Sequence, residues 1–330
     1  MRTLVTDTHA AGTAASFACE LHGRFDALNV SPCPDAQLAR FARDALIDEA
    51  RLTPKPALVD ARGSGAHSDL DLATMLRSAF ALEPTFRALS RASRGSTPGV
   101  ALRTDLARIG RAGEAAMMRA TDGSNAHRGA IWIVGLLVAG AAIVPAPFIA
   151  DDGAHAHAAL ICETGAQIAR FDDLLARPVN SNGERVRLQY NVGGARREAQ
   201  DGFPHVMRAG LPALHAARAQ GRDESTARVE ALLAIMASLD DTCVLHRAGL
   251  AGREAAQAGA QRVRDAGGIA TRAGRAAFDA LEHSLLALNA SPGGSADLLA
   301  ATLFIDRLVQ HRIGGFAWDG TKALWDQSKR

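Results

Sequence analysis

Aromatic residues are scarce in this chain of 330 residues. Phe, Trp and Tyr together make up 5% of it, and Tyr190 is the single tyrosine. Aromatic and β-branched residues favour strands, whereas alanine, which is abundant here, is the best helix former. The composition therefore predicts an all-α fold. A hydrophobic content of 48% is sufficient for a large core in a chain of this length.

An excess of charge is also lacking. The chain has 37 basic and 35 acidic residues, which gives a formal net charge of +2, and the two signs are mixed along it. A nucleic-acid-binding protein usually shows a basic run or a basic face. We therefore expect no nucleic-acid partner, and any binding of an anionic ligand has to be local.

Cysteine is present but without a metal-binding or disulfide pattern. The four cysteines are Cys19, Cys33, Cys162 and Cys243, and none forms a CxxC pair. Scattered single cysteines in a chain of this size are typical of a reducing compartment. The first 20 residues lack the continuous apolar segment of a signal peptide. The expectation is a cytoplasmic protein.

A single apolar run could be mistaken for a membrane span. Residues 130–150 carry no charge, but Pro145 and Pro147 should end the helix after about 15 residues. At 1.5 Å per residue this gives about 22 Å, which is shorter than a bilayer core of about 30 Å. We interpret the run as a central helix buried on all sides in a protein without a membrane partner.

The apolar spacing predicts a compact bundle of about ten helices. Residues 1–34 look weakly structured, and residues 35–330 form one predicted all-α domain. Helices are predicted at about 35–53, 69–90, 99–120, 130–144, 153–176, 204–219, 223–240, 250–265, 268–288 and 295–314. Residues 177–194 are the exception, because apolar residues alternate there with a period of two. We predict a short extended segment at this place.

The first of four polar junctions between helices is "TPKPALVDARGSGAHSDLD", residues 53–71. Lys55 lies between two prolines, which restrict the backbone and suit a fixed anion. Asp69 and Asp71 could hold a hard cation such as Mg²⁺, and His67 would share a helix face with Asp71. The structural alternative is that Ser68 and Asp71 form a capping box.

The second junction is "DGSNAHRG", residues 122–129. Asn125, His127 and Arg128 stand just before the apolar helix, whose N-terminus carries partial positive charge. Arg128 adds a fork of donors that matches phosphate. The alternative is that Asn125 only caps the helix and the other side chains are solvated.

The third junction is "DDTCVLHRAG", residues 240–249. Asp240 and Asp241 are predicted to close an apolar helix, where carboxylates are unfavourable because the dipole is negative. A compensating cation is expected, either a metal ion or the nearby Arg247. The alternative is an ion pair without a ligand.

The fourth junction is "NASPGGSADLLAATLF", residues 289–304. Gly293 and Gly294 allow close approach of the backbone, and Ser291 and Ser295 add hydroxyls at the predicted helix start. Free N–H groups there form an anion site. This is not a Walker loop, since GK[ST] and a preceding strand are missing. The alternative is an ordinary turn.

Two further signals are weaker. His155 and His157 point to opposite sides of a helix, so joint metal binding is not expected. Arg196, Arg197 and Glu198, in "GGARREAQDGFP", are interpreted as a solvated face. The four junctions together indicate a polar cavity at helix ends that would suit a polyphosphate with Mg²⁺.

These motifs also carry a family resemblance. In the order of the chain, "TPKPALVDARGSGAHSDLD", "NAHRGA", "GARREAQDGFPHV", "LDDTCVLHRAG" and "SPGGSADLLAATLF" resemble the motifs of the triphosphoribosyl-dephospho-CoA synthases. The likeness runs from about residue 49 to 305. The chain departs from it at Ala57, where the family usually has glycine, and at Ala126, where a threonine is usual, so one hydroxyl is missing.

The resemblance implies an all-helical transferase that acts on ATP and 3′-dephospho-CoA. It releases adenine and makes 2′-(5″-triphosphoribosyl)-3′-dephospho-CoA. This product is the precursor of the prosthetic group on the acyl carrier protein of citrate lyase or malonate decarboxylase, and this chain looks more like the malonate decarboxylase branch. A downstream phosphoribosyl-dephospho-CoA transferase would then be an indirect partner. Whether the protein forms a homodimer stays open.

The implied reaction assigns roles to the polar residues. The 2′-hydroxyl of dephospho-CoA would displace adenine from C1′ with inversion, through a transition state like an oxocarbenium ion. The base is left open among Asp60, His127 and Asp241. The metal ligands would be Asp69 and Asp71, with Asp240 or Asp241. Substrate phosphates and the nucleotide would be bound by Lys55, His67, Asn125, Arg128, Arg247, Ser291, Gly293, Gly294 and Ser295.

Two other classes of function stay open at this point. One is another Mg²⁺-dependent helical enzyme on nucleotides, such as an ADP-ribosyl-type glycohydrolase, which would transfer the ribosyl group to water. The other is a non-catalytic scaffold. A scaffold has no reason to concentrate Lys, His, Asn and Asp at helix ends, so the sequence speaks against it.

Overall fold

Helices make up the regular structure of the protein. The computed structural model describes residues 35–144, 153–176 and 181–313, and in these ranges it has twelve α-helices, one π-helical turn and no strand. The all-α prediction is confirmed. The predicted N-terminal segment, Pro145 and Pro147 lie outside the described residues. The helices are α1 (Asp35–Arg51), α2 (Leu72–Ser93), α3 (Val100–Ala120), α4 (Arg128–Ile143), α5 (Ala154–Arg170), α6 (Asn182–Tyr190), α7 (Gly194–Gln200), α8 (Leu211–Ala219), α9 (Glu224–Met236), α10 (Thr242–Asp265), α11 (Arg272–Ala287) and α12 (Gly293–Ile313), with the π-turn at Val206–Gly210.

Helix α4 is the most apolar element. Twelve of its 16 residues are buried, because it packs against α2, α5 and α12. A Cβ atom at Gly140 would lie 2.4 Å from the carbonyl oxygen of Ile161, so glycine is what lets α5 come this close. Within the described ranges, no helix is long and apolar enough to cross a membrane.

Two helix starts show which side chains cap them. Asp223 accepts a hydrogen bond from the Thr226 amide at 3.0 Å, which confirms the predicted cap of α9. Helix α2 begins three residues later than predicted, and Asp71 is its N-cap, with the Thr74 amide donating to it at 2.7 Å. The predicted capping box that starts at Ser68 is therefore wrong, because Asp71 itself occupies the N-cap position.

The predicted extended segment is also wrong over its described part. Asn182–Tyr190 forms α6, which Ser181 caps by accepting from the Glu184 amide at 3.2 Å. The alternating apolar residues do not share a face: Val186 is buried beside Val192 and Leu245, whereas Leu188 is 70% exposed. The period-two pattern was coincidental, and local capping decides the structure. Residues 177–180 lie outside the described residues.

Several helices place their N-terminal ends at a common cavity. A large buried cluster of aliphatic residues joins α1, α2, α4, α5, α9 and α12. Around it, the first residues of α4, α6, α10 and α12 lie at the cavity, together with the loop 52–71 that connects α1 to α2. Because helix N-termini carry partial positive charge, this arrangement favours an anionic ligand.

Candidate active site

One cavity of about 360 Å³ collects residues from all five sequence motifs. Most of the predicted site residues line it: Lys55, His67, Asn125, His127, Arg128, Asp240, Asp241, Arg247, Ser291, Gly293 and Gly294. Four predicted site residues are not on its wall, namely Asp60, Asp69, Asp71 and Ser295. Glu49, Glu198, Cys243, His246 and Asp297 complete the polar lining.

Lys55 lies on the cavity wall in a buried ion pair. Its side chain is 1% exposed, and Nζ donates to Glu49 Oε1 at 2.6 Å and to the Glu49 carbonyl oxygen at 2.7 Å. Glu49 is at the end of α1, and the loop that follows it turns back to bring Lys55 alongside. The predicted anion anchor thus already has a carboxylate partner in the protein.

His127 brings a neutral imidazole to the cavity. Its Nδ1 lies 2.7 Å from Ser78 Oγ, and its backbone N–H points at Met117 Sδ. Its Nε2 is buried and has no hydrogen-bond partner among the described residues. Burial lowers the pKa of His127 to about 3, and the Lys55 charge adds to this effect. The ring is therefore uncharged near neutral pH, with one nitrogen free for a ligand.

Asp241 ties two helix N-termini together. Its Oδ1 accepts from the amides of Cys243 at 2.9 Å and Gly294 at 3.2 Å, and its Oδ2 accepts from the Ser295 amide at 2.8 Å. The prediction that Asp241 closes the preceding helix is wrong, since α9 ends at Met236 and Asp241 is the N-cap of α10. Its carboxylate therefore lies at the positive ends of two dipoles, which is favourable.

The start of α12 is consequently not an open phosphate cradle. The amides of Gly294 and Ser295, and the Ser295 hydroxyl at 3.0 Å, all donate to Asp241. A Cβ at Gly294 would lie 2.9 Å from Asp241 Oδ1, so this close contact requires glycine. The anion predicted for these N–H groups is a carboxylate of the protein itself.

Asp297 is the acidic group with the most perturbed surroundings on the cavity wall. Burial raises the pKa of this carboxyl well above its usual value, and the nearby carboxylates of Glu49 and Asp241 add to the effect. It lies against the first turn of α4, where a Cβ at Gly129 would come within 1.9 Å of its Oδ2. Gly129 is thus required for Asp297 to fit, and the carboxyl keeps its proton to a higher pH than an ordinary aspartate.

Asp60 holds the loop 52–71 in shape through hydrogen bonds and an ion pair. It is 3% exposed and accepts from the Lys55 amide at 2.9 Å and from the Arg62 amide at 2.7 Å, and its carboxylate pairs with the Arg62 guanidinium at 2.8 Å. In the same loop, Ala57 has a φ of 56°, a conformation that suits glycine better. Asp60 therefore shapes the loop that carries Lys55.

His67 and Arg247 join this loop to the other cavity walls. The His67 Nε2 lies 2.8 Å from Ser291 Oγ, and Arg247 Nη1 donates to the Ala66 carbonyl oxygen at 2.7 Å. Burial and the Arg247 charge lower the pKa of His67, although Asp69 opposes them. Three of the predicted junctions are thus linked by direct hydrogen bonds.

Arg128 and Asn125 form the wall at the start of α4. Asn125 Oδ1 accepts from the Arg128 amide at 3.2 Å and Asn125 also lines the cavity. The alternative of a plain cap with solvated neighbours is wrong, because His127 occupies the N-cap position and is buried. The Arg128 side chain is 45% exposed and forms an ion pair with Glu114. Its guanidinium can reach a ligand because much of it remains accessible.

Comparison with known proteins agrees with this arrangement. Residues 35–314 match the family described as ATP:dephospho-CoA triphosphoribosyl transferase. The chain belongs to this transferase family. It is 52% identical to a probable 2-(5″-triphosphoribosyl)-3′-dephosphocoenzyme-A synthase of Pseudomonas paraeruginosa over 88% of this chain and 97% of that protein. The synthase of Klebsiella pneumoniae is 53% identical over 82% of this chain and 94% of its own length. No solved structure matches the chain.

The transferase family membership confirms the resemblance seen in the five motifs. The family assignment does not depend on any single loop, because the match covers almost all of the described residues. The same five motifs line the cavity, so the cavity is the candidate active site of this triphosphoribosyl transferase family member.

The three carboxylates predicted to bind Mg²⁺ do not come together in this transferase. Asp71 caps α2 and Asp69 is 55% exposed 3.7 Å from His67 Nδ1, while Asp240 pairs with Arg253 at 3.3 Å. In the part of the chain that the structure describes, no group of three or more His, Cys, Asp or Glu residues could hold a metal ion. The residues present therefore do not fit a metal centre built by the protein.

The sequence analysis did not predict three acidic residues that line the cavity. Glu49 and Asp297 each interrupt an apolar helix face, which is a signal because an unpaired charge does not belong in a core. Glu198 was interpreted as solvated, but it is 7% exposed. It accepts from the amide of His205 at 2.8 Å, and its Oε2 lies 2.7 Å from His205 Nδ1. No local pattern marks Glu198, because a residue across a loop buries it.

Proposed function

We propose that this protein transfers the 5-triphosphoribosyl group of ATP to the 2′-hydroxyl of 3′-dephospho-CoA and releases adenine. The observation that supports it most strongly is that the motifs of the transferase family, which are spread over some 250 residues of the chain, line one cavity. The relatives that match nearly full length carry the name of this synthase.

The bond changes define what the cavity has to provide. The bond from C1′ of the ATP ribose to N9 of adenine breaks, and a bond from C1′ to the acceptor oxygen forms. Adenine leaves with the electron pair and takes up one proton, while the attacking hydroxyl loses one, so no proton is gained or lost overall. The triphosphate stays intact, which makes it a handle for orientation.

Asp297 is the proton donor in this proposal. Adenine is a poor leaving group unless a ring nitrogen is protonated, and acid–base assistance of this kind is typically worth about 10²–10⁴-fold. Burial raises the Asp297 pKa, so this carboxyl can hold a proton at a pH where ordinary aspartates are ionised. After adenine leaves, the proton from the acceptor hydroxyl restores Asp297.

His127 positions the acceptor hydroxyl. With a pKa of about 3 the ring is neutral, and its Nε2 is a buried polar atom on the cavity wall without a hydrogen-bond partner among the described residues. A substrate hydroxyl that donates to this nitrogen would fill the gap and direct an oxygen lone pair towards C1′. Asp60 and Asp241, the other two base candidates, are held in hydrogen bonds that shape the site.

Phosphate binding is assigned to Arg128, Arg247 and the helix N-termini around them. Arg128 and Arg247 both line the cavity, in α4 and α10. Their guanidinium groups and the dipole of α4 would hold the triphosphate by its charge. We assign Lys55 a supporting role, since its charge is balanced by Glu49. Any Mg²⁺ would be brought by the triphosphate, because the described residues offer no metal centre.

The product would serve as the precursor of an acyl-carrier prosthetic group. A second transferase must then consume it and attach the group to the carrier protein of malonate decarboxylase or citrate lyase. Incubation of the product with each purified apo-carrier and the second transferase, followed by mass analysis of the carriers, would assign the pathway.

The deciding experiment for the reaction is an incubation of the protein with ATP, MgCl₂ and dephospho-CoA, followed by mass spectrometry. We expect free adenine and a CoA species heavier by the triphosphoribosyl group. Adenine released equally without dephospho-CoA would indicate a glycohydrolase, in which water is the acceptor. Release of ADP instead would indicate an ATPase or kinase.

A further inference from the structure

A second cavity of about 230 Å³ lies beside the candidate active site. It is lined by α2, α3 and α4, with Asp173 on the segment after α5. Arg128 lines both cavities, so the two are neighbours that share this residue. None of the family motifs other than the one containing Arg128 contributes to the second cavity, so the proposed reaction does not explain it.

The walls of this cavity combine aliphatic and cationic groups. The aliphatic part is formed by buried Leu89, Leu106, Ile131 and Leu136, and two glycines keep it open. Three arginines form the polar part. Arg111 pairs with Asp173 at 2.6 Å, and Arg128 pairs with Glu114.

Arg103 is the arginine that lacks a counterion. Its guanidinium lies 4.8 Å from the centre of the Trp132 ring, and within the described residues its Nε is buried without a hydrogen-bond partner. The structure describes no ion pair for it. Burial and the neighbouring arginines Arg196 and Arg111 lower its pKa, although the Asp173 charge acts in the opposite direction. A half-buried cation without a partner is costly, unless a ligand supplies the anion.

We propose that the second cavity binds the diphosphate and the pantetheine arm of dephospho-CoA, with Arg103 on the diphosphate and the aliphatic wall against the pantetheine. This proposal rests on the proposed function, because it assigns a subsite to the acceptor of that reaction. Guanidinium groups match phosphate oxygens in geometry and charge. Both substrates carry phosphates, but only dephospho-CoA joins its phosphates to an aliphatic chain.

The position relative to the candidate active site supports the assignment. In dephospho-CoA the reacting ribose is directly connected to the diphosphate, and the pantetheine extends beyond it. Arg128 is shared by both cavities, so the diphosphate would pass near it if the ribose lies beside His127. Trp132 also connects the two sites, since its Nε1 donates to the Ala195 carbonyl oxygen at 3.0 Å and Ala195 lines the active-site cavity.

The test compares two variants with a matched control on the same helix. Arg103→Met removes the charge but keeps the bulk, and Ala107→Phe fills the aliphatic part of the cavity. Arg108→Met is the control, because Arg108 is exposed and lies 3.5 Å from Asp105 at the surface. Calorimetry would give the affinities for dephospho-CoA, for ADP, which lacks pantetheine, and for ATP.

We expect Arg103→Met to weaken dephospho-CoA and ADP binding by about 10–100-fold and ATP binding by less than about threefold, since a charged hydrogen bond is lost. Ala107→Phe should weaken dephospho-CoA by about tenfold but not ADP. Arg108→Met should change none of them. Arg103→Lys should restore part of the loss, because it returns the charge without the planar donors.

Two results would overturn the assignment. A loss of ATP affinity equal to or larger than that of dephospho-CoA would give the cavity to the triphosphate. Unchanged dephospho-CoA affinity in both variants would leave the cavity without a role in binding the acceptor. The binding measurements need no turnover, so a wild-type protein that binds dephospho-CoA here but releases no adenine would contradict the proposed function and not this subsite.

Discussion

Burial and the neighbouring carboxylates raise the pKa of Asp297, and we expect this shift to matter for catalysis. Replacement by asparagine keeps the shape next to Gly129 but removes the proton. We expect Asp297→Asn to lower kcat by about 10²–10⁴-fold with little change in ATP affinity. In the wild type, activity should fall as the pH rises through the elevated pKa of Asp297, because the acid form is the one required. That alkaline limb should be absent from the residual activity of the variant.

The same substitution should lower activity but raise the melting temperature at alkaline pH. The folded-state pKa of Asp297 lies above its unfolded value, so its contribution to stability is full below the unfolded pKa and is lost as the pH rises through the folded pKa. Asp297→Asn should therefore melt higher than the wild type at alkaline pH and lose this advantage in acid. Thermal melts at several pH values would check it, and equal differences at every pH would contradict the assigned shift.

Lys55 and Glu49 allow structural and binding roles to be separated. Glu49→Gln leaves a buried ammonium without its counterion and should destabilise the protein by about 3–5 kcal/mol in urea unfolding. The double variant with Lys55→Met should recover much of this loss. If Lys55 also holds phosphate, the double variant will be stable but weak in ATP binding. Glu83→Gln is the control, since its pair with Arg43 is partly exposed and is worth about 1 kcal/mol or less.

The three carboxylates predicted to bind Mg²⁺ should not determine how much Mg²⁺ the reaction needs. Because Asp69, Asp71 and Asp240 have separate partners, we expect each single Asn variant to keep the wild-type dependence on MgCl₂ concentration. Titration of activity with MgCl₂ checks this. An Asp69→Asn variant that needs far more Mg²⁺ would restore the original metal assignment.

At the scale of helices, Asp241 holds the starts of α10 and α12 together. Asp241→Ala removes an N-cap, worth about 1 kcal/mol, and leaves the Gly294 and Ser295 amides without their acceptor, at about 1–3 kcal/mol. We expect a total loss of about 2–4 kcal/mol in the free energy of unfolding and faster hydrogen exchange at both amides. Asp223→Ala, which removes the exposed cap of α9, should cost only about 1 kcal/mol. Equal losses would show that the bridge between α10 and α12 contributes nothing.

The helices also show where sequence reasoning succeeds. Apolar spacing placed α2, α3, α4 and α9 to within a few residues, because each has a clear buried face. It failed at α6, where the side-chain pattern is weak and the Ser181–Glu184 capping signal was not used. The bond from Asp241 to the start of α12 could not be derived, because Asp241 and Ser295 are 54 residues apart in sequence. Long-range partners of this kind also hid Glu198.

At the scale of the whole molecule, the cavity takes its walls from Glu49 near one end of the described chain and Leu298 near the other. A ligand in it therefore joins elements from both ends of the proposed single domain and should stabilise that domain as one unit. With ATP at 100 times its dissociation constant, binding adds about 2.7 kcal/mol. For about 280 residues this corresponds to a rise in Tm of about 5 °C. Differential scanning calorimetry should show one transition that moves as a whole, and a second transition unmoved by ATP would mean that part of the chain folds independently of the site.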